Sequence, residues 1–118
     1  MKPLRDDVLK YIRKTYRGEI EYPWMRYPDY GVVRHKDNQK WYALFMEVKK
    51  SVFGLGDGKV WIANIKCNSY ERECLIAEEK AFPAYHMNKR LWTSILIDGS
   101  VDIDSLKNLI DQSYDITR

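Results

Sequence analysis

Apolar residues recur at helical spacing at Leu4, Val8, Tyr11, Ile12 and Tyr16, and the pattern stops at Arg17-Gly18. This predicts an amphipathic first helix, with Pro3 placed to enter its first turn. Tyr22-Pro23-Trp24 and Tyr27-Pro28-Asp29 follow, two proline-punctuated aromatic pieces that cannot continue a helix and are expected to cap one end of the core. The pattern then turns β-rich. Residues 30–34 and 41–48 flank the polar stretch His35-Lys36-Asp37-Asn38-Gln39-Lys40, which reads as the turn of a hairpin. A glycine-rich loop, Gly54-Leu55-Gly56-Asp57-Gly58, leads into a third strand over residues 59–65.

A short acidic helix is predicted from Asn68, its N-cap, to about Glu79, with Glu71 in the capping-box position three residues on. Phe82-Pro83-Ala84-Tyr85-His86 leads through Met87-Asn88-Lys89-Arg90 into a last long strand over residues 91–97, which ends at an Asp98-Gly99 turn. A final helix starts at an Asp102 cap and carries Ile103, Leu106, Leu109, Ile110, Ser113 and Tyr114 on one face. The order αβββαβα, with antiparallel hairpins, predicts an α+β fold: an antiparallel sheet with helices packed on one face.

Composition narrows the class. A chain of 118 residues that is 45% hydrophobic and 14% aromatic reads as one domain over residues 1–118 and lies far from the signature of disorder. The net charge of +3 does not by itself declare a nucleic-acid partner. Its distribution says more: residues 1–66 carry 14 Lys and Arg against 8 Asp and Glu, whereas residues 67–118 carry 6 against 9. No apolar run approaches the roughly 18 residues that span a bilayer, and the N-terminal residues lack the apolar core of a signal peptide, so the expectation is a cytosolic protein without a membrane partner. Cys67 and Cys74 have no further ligand at a zinc spacing and are expected to be free thiols, one or both buried, with no metal and no cofactor.

The motifs of common enzymes are missing. The glycines of residues 54–58 are spaced two apart and lead into a strand, whereas a phosphate cradle needs a helix N-terminus behind it. There is no Gly-x-Ser-x-Gly elbow and no histidine pair at i, i+4. His35 and His86 read as hydrogen-bonding residues at loop ends, and no catalytic residue is assigned.

Two segments share a pattern: His35-Lys36-Asp37-Asn38-Gln39-Lys40-Trp41 and His86-Met87-Asn88-Lys89-Arg90-Leu91-Trp92. Each has a His, an Asn two or three residues on, one or two basic residues, and a Trp six residues after the His. Basic, amide and aromatic residues on exposed loops are what a nucleic-acid surface uses, with cations for phosphate, amides for base edges or sugar, and rings for stacking or packing. The same pattern also describes two polar loops whose tryptophans anchor the following strands.

Tyr22-Pro23-Trp24, Val33-Arg34-His35 to Asn38, Lys40-Trp41-Tyr42-Ala43, Ile65-Lys66-Cys67, Pro83-Ala84-Tyr85-His86-Met87-Asn88-Lys89 with Trp92, and Ser113-Tyr114 together resemble the MmcQ/YjbR family of small bacterial proteins. The resemblance spans nearly the whole chain, and its most specific stretch runs from Pro83 to Trp92. It implies a CyaY-like αβ sandwich and a "double wing" DNA-binding role. The chain departs from the family at Lys66-Cys67-Asn68-Ser69, where a proline is common, and at Leu91, where a histidine often stands.

The leading expectation is therefore a non-enzymatic DNA-binding module with weak sequence preference. Lys40, Lys66, Lys89 and Arg90 would meet phosphates, Asn38, His86 and Asn88 would add polar contacts, and Arg34 and His35 complete the candidate set. The alternative is a protein-interaction module that uses the sheet face or the acidic helix with Glu71, Glu73, Glu78 and Glu79. A third reading, an enzyme acting on a small ligand, would be favoured by a loop-side pocket holding a perturbed histidine.

Overall fold

The structure, a computed structural model, describes residues 4–17 and 19–118, so Pro3 and Gly18 of the first helix's expected boundaries lie outside the described residues. Helix α1 spans Leu4–Tyr16 and buries Val8, Leu9 and Ile12. Strands β1 (Gly31–Arg34), β2 (Trp41–Lys49) and β3 (Lys59–Ile65) follow, with a 3₁₀ turn at Lys50–Phe53 between β2 and β3. Helix α2 (Ser69–Ala77), strands β4 (Ala81–Pro83) and β5 (Thr93–Leu96), and helix α3 (Ile103–Thr117) complete the chain. The sheet is antiparallel throughout, in the order β1-β2-β3-β5-β4. The fold is α+β, as expected.

Two boundaries differ from expectation. The sequence pattern makes Phe82-Pro83 a lead-in to the last strand, whereas Ala81–Pro83 form a three-residue edge strand, β4, and an edge is where a residue without an N–H is tolerated. Strand β5 begins at Thr93 rather than Leu91, because the backbone N–H groups of Leu91 and Trp92 turn back to the Asn88 carbonyl. Both later helix caps form. The Asn68 side chain accepts from the Glu71 N–H at 2.8 Å, and the Asp102 side chain accepts from the Ser105 N–H at 3.1 Å. The Glu71 carboxylate does not close a reciprocal box. It accepts from Gln112 on α3 and so ties α2 to α3.

Helices α1 and α3 cover one face of the sheet, where Ala43, Phe45, Ala63, Ile65, Ile95 and Ile97 meet Ile12, Leu106, Leu109 and Ile110. Leu75 and Ile76 of α2 pack against the same cluster. Alternation along the strands sends Val32, Leu44, Met46, Val60, Ile62 and Leu96 to the opposite face, which no α-helix covers among the described residues. Loops cover it instead. Trp24, Tyr30, Phe53, Phe82, Tyr85 and Met87 lie against that second cluster. The segment of residues 22–30 is pinned at both ends by Glu21 and Val32, which exchange backbone hydrogen bonds of 3.0 and 2.9 Å. Gly31 permits the close approach, since a Cβ there would sit 2.8 Å from Ile20 Cγ2. The two aromatic pieces thus roof a sheet face rather than cap an end of the core.

A bulge in β2 controls which rings face which layer. Val33 pairs with Ala43 but Arg34 pairs with Trp41, leaving Tyr42 as the extra residue. Tyr42 and Ala43 consequently both belong to the helix-side core, while Trp41 joins the loop-covered face.

Candidate functional site

Strand register brings the sequence-predicted residues to one end of the sheet. Arg34 opposite Trp41 places the β1–β2 loop there, and Ile65 opposite Thr93 puts the end of β3 and the start of β5 at the same edge. Pro83 opposite Thr93 adds the β4–β5 connection. The two hairpin tips are therefore neighbouring wings, flanking the end of β3. Strand spacing of about 4.8 Å separates β2 from β5 by roughly 10 Å.

Both wings are built the same way. Asn38 Oδ1 accepts from the Lys40 N–H at 2.9 Å, and Asn88 Oδ1 accepts from the Arg90 N–H at 2.9 Å. Each asparagine thus makes a local side-chain turn that presents the cation two residues later. Lys36, Lys40, Lys89 and Arg90 are exposed. The second wing, residues 84–92, contains no acidic residue, whereas the first contains Asp37. Lys66 lies between them, with its ammonium 5.3 Å above the Trp92 ring. The Arg72 guanidinium on α2, which sequence reasoning passed over, donates to the Lys89 carbonyl at 2.6 Å and steadies the second wing.

Two predicted residues are placed differently. Arg34 is half-buried, paired with Glu21 at 3.2 Å and stacked over Trp41 at 5.7 Å, so its charge is already partly engaged. His35 is interior, 2% exposed, with Nε2 2.6 Å from Thr117 Oγ1. The Thr117 hydroxyl gives its own proton to the Ser113 carbonyl, so the imidazole donates from Nε2. Burial holds the His35 pKa below its ordinary 6.5, with Asp37 opposing and Arg118 and Lys40 reinforcing the shift. His35 is a fastener between the first wing and α3, not a surface contact. It borders a recess of about 130 Å³ shared with Tyr42 and Tyr114.

Between the residue 24–30 loop and the second wing lies a larger cleft, about 410 Å³. Trp24, Tyr27, Tyr30 and Trp41 supply its rings, Leu44 and Met46 line it from the sheet, and His86, Met87 and Asn88 line it from the second wing. Tyr27 stacks on Tyr30 with ring centroids 4.6 Å apart, and Trp24 meets Trp41 edge-on at 6.0 Å. His86 is exposed and adopts φ 61°, a left-handed conformation uncommon for a residue with a Cβ. Sequence reading singled out several of these residues but not the cleft, because three segments distant in sequence build it.

The second wing's backbone is held by residues that carried no sequence signal. Asn64 and Ser94, both fully buried, grip both backbone groups of Tyr85. On the other face Ser113 accepts from the Lys66 N–H at 3.0 Å and donates to the Tyr42 carbonyl at 2.5 Å, so α3 locks the end of β3 to β2. Cys67 is half-buried and Cys74 exposed, so neither thiol is in the core as expected; burial raises the Cys67 thiol pKa. Among the described residues, no group of three His, Cys, Asp or Glu side chains is placed to hold a metal ion, and no helix is long and apolar enough to cross a membrane.

An α+β domain, a five-stranded antiparallel sheet with helices packed on one face, defines the class, and comparison with known proteins supplies the family. A family model described as YjbR matches residues 13–116, and the chain belongs to the YjbR family. YyaQ from Bacillus subtilis (strain 168) is 37% identical over 115 residues, covering 97% of this chain and 98% of that protein. A crystal structure of a Pseudomonas syringae protein superposes with a TM-score of 0.86 at 34% identity, each chain fully covered. A Deinococcus radiodurans protein shares the fold, with a TM-score of 0.64 at 21% identity over 96% of this chain and 78% of its own.

Proposed function

We propose that this chain is a cytosolic, non-enzymatic DNA-binding protein whose wing end meets the phosphate backbone. The observation that carries the reading is the convergence of both hairpin tips, with their matched asparagine turns and exposed cations, on one end of the sheet. Lys40, Lys66, Lys89 and Arg90 neutralise phosphates, and Asn38, His86 and Asn88 add polar contacts. Sequence preference is weak, because the cations sit on loops and no recognition helix is offered to a groove. A catalytic role is less well supported. His35, whose pKa burial lowers, is tied to Thr117 beside the small recess and does not line the larger cleft.

A second reading rests on α2 and the turn after it, where Tyr70 is 80% exposed and Glu73, Glu78 and Glu79 are exposed, a surface suited to a basic protein partner. Fluorescence anisotropy with a labelled random duplex across a salt series separates the two. DNA binding predicts a log–log salt slope of roughly −3, from three to four phosphate contacts at about −0.9 each. Affinity weaker than about a millimolar at low salt, below ordinary non-specific binding, rejects it.

A further inference from the structure

The phosphate reading uses the cleft's His86 and Asn88 but leaves its rings unused, and its position beside the wings gives it a ligand. We infer that the cleft accepts one unpaired nucleobase from a single strand whose backbone runs across the wing end. This rests on the DNA-binding reading and adds to it a preference for unpaired over duplex nucleic acid.

Three observations converge. The cleft's 410 Å³ is lined by four aromatic rings, which offer a flat apolar ligand stacking and edge contacts. Its wing side is polar: His86 is exposed, and Asn88 spends Oδ1 on the Arg90 N–H, leaving its NH₂ group as a donor for a base acceptor. Exposed cations stand next in sequence to its lining on two chain segments: Lys40 precedes Trp41, and Lys89 and Arg90 are the two residues after Asn88. A ring-lined slot whose bordering segments carry cations is complementary to a base carried on a chain of phosphates. A free mononucleotide has the same base but cannot engage both segments at once, and a duplex keeps its bases stacked away from the slot.

The test uses the whole protein and four probes: a labelled 12-residue oligothymidylate, an abasic strand of the same length and charge, a random duplex, and thymidine 5′-monophosphate as competitor. The base-bearing strand should bind about tenfold tighter than the abasic strand, the scale of one base stacked on an aromatic side chain. Tyr27→Ala should abolish that difference without changing affinity for the abasic strand, while Tyr27→Phe keeps it. Tyr27 is 49% exposed, so both variants are expected to fold, which thermal unfolding checks. Equal binding of the base-bearing and abasic strands overturns the cleft proposal and leaves the phosphate reading standing. Failure of all three polymers to bind rejects both. Competition by the mononucleotide at the strand's own affinity also overturns the proposal and assigns the cleft to a free nucleotide. An unchanged preference in Tyr27→Ala removes the base from this cleft.

Discussion

Ser94 Oγ donates to Asn64 Oδ1 at 2.5 Å from directly across the β3–β5 register. The pair then holds the next segment, because the Tyr85 N–H donates to Ser94 Oγ at 3.0 Å and Asn64 Nδ2 donates to the Tyr85 carbonyl at 3.2 Å. Two buried polar side chains thus stand in for a strand neighbour and fix where the second wing leaves the sheet.

Ser94→Ala strands the Asn64 oxygen and the Tyr85 N–H inside the protein. The expected cost is about 1–3 kcal/mol, the desolvation penalty of a buried polar group left without a partner. Urea unfolding measures it. Amide exchange at residues 85–88 should accelerate more than exchange in β2, since the wing is released locally. Uniform acceleration across the sheet would show that the pair supports the core generally and does not act on the wing.

The second prediction follows from His35. Its pKa is lowered in the folded state, so the unfolded chain binds the proton more readily, and stability falls as pH drops below about 6.5 until the folded-state pKa is reached. The contribution is fully present above that pH. Melting temperature should therefore decline between pH 7.5 and 5.5, above the range where carboxylates titrate. His35→Gln keeps a donor for Thr117 without a titrating ring and should flatten the decline. An unchanged slope in His35→Gln would place the titration elsewhere.

Much of this architecture was legible because local signals agreed with tertiary ones. Asn68 and Asp102 cap the helices they were expected to cap, and the apolar runs of β2 and β3 pair along their length. The Asn-x-cation steps at Asn38 and Asn88, visible in the sequence, both form local turns in which the side chain accepts from the N–H two residues on. What the sequence hid is non-local. Period-two reading puts Trp41 with Ala43 on one face, and only pairing with β1 reveals the bulge that separates them. His35 is the hydrogen-bonding loop-end residue its position implies, but its burial was hidden because its partner, Thr117, lies 82 positions away. Asn64 and Ser94 are ordinary strand residues until Tyr85 lies over them.

Lys89→Ala together with Arg90→Ala tests the wing end directly. Both side chains are exposed, and the second wing has no acidic residue to offset their loss. The duplex salt slope should become shallower by nearly two units, at about 0.9 per contact, with the melting temperature unchanged. Lys50→Ala on the 3₁₀ turn at the opposite sheet end is the control and should leave the slope alone. An equal shift per lost charge in Lys50→Ala would mean that binding reads net charge and not the wings.

The last prediction opposes two tyrosine sites on the helix side. The hydroxyls of Tyr11 and Tyr16 both donate to the Asp111 carboxylate, tying α1 to α3. Asp111→Ala removes both acceptors and should cost about 1.5–3 kcal/mol, the scale of hydrogen bonds to a charged group. Tyr42 sits among the same rings, 5.9 Å from Tyr16 and 5.1 Å from Tyr114, but its buried hydroxyl has no partner among the described residues. Tyr42→Phe therefore keeps the packing and removes a desolvated oxygen, and it should raise stability by up to about 1 kcal/mol, or a few degrees in melting temperature. Differential scanning calorimetry of the two variants decides between them. A destabilised Tyr42→Phe would mean that the hydroxyl bonds a guest in the adjoining 130 Å³ recess, since only a lost partner converts removal of that oxygen into a loss.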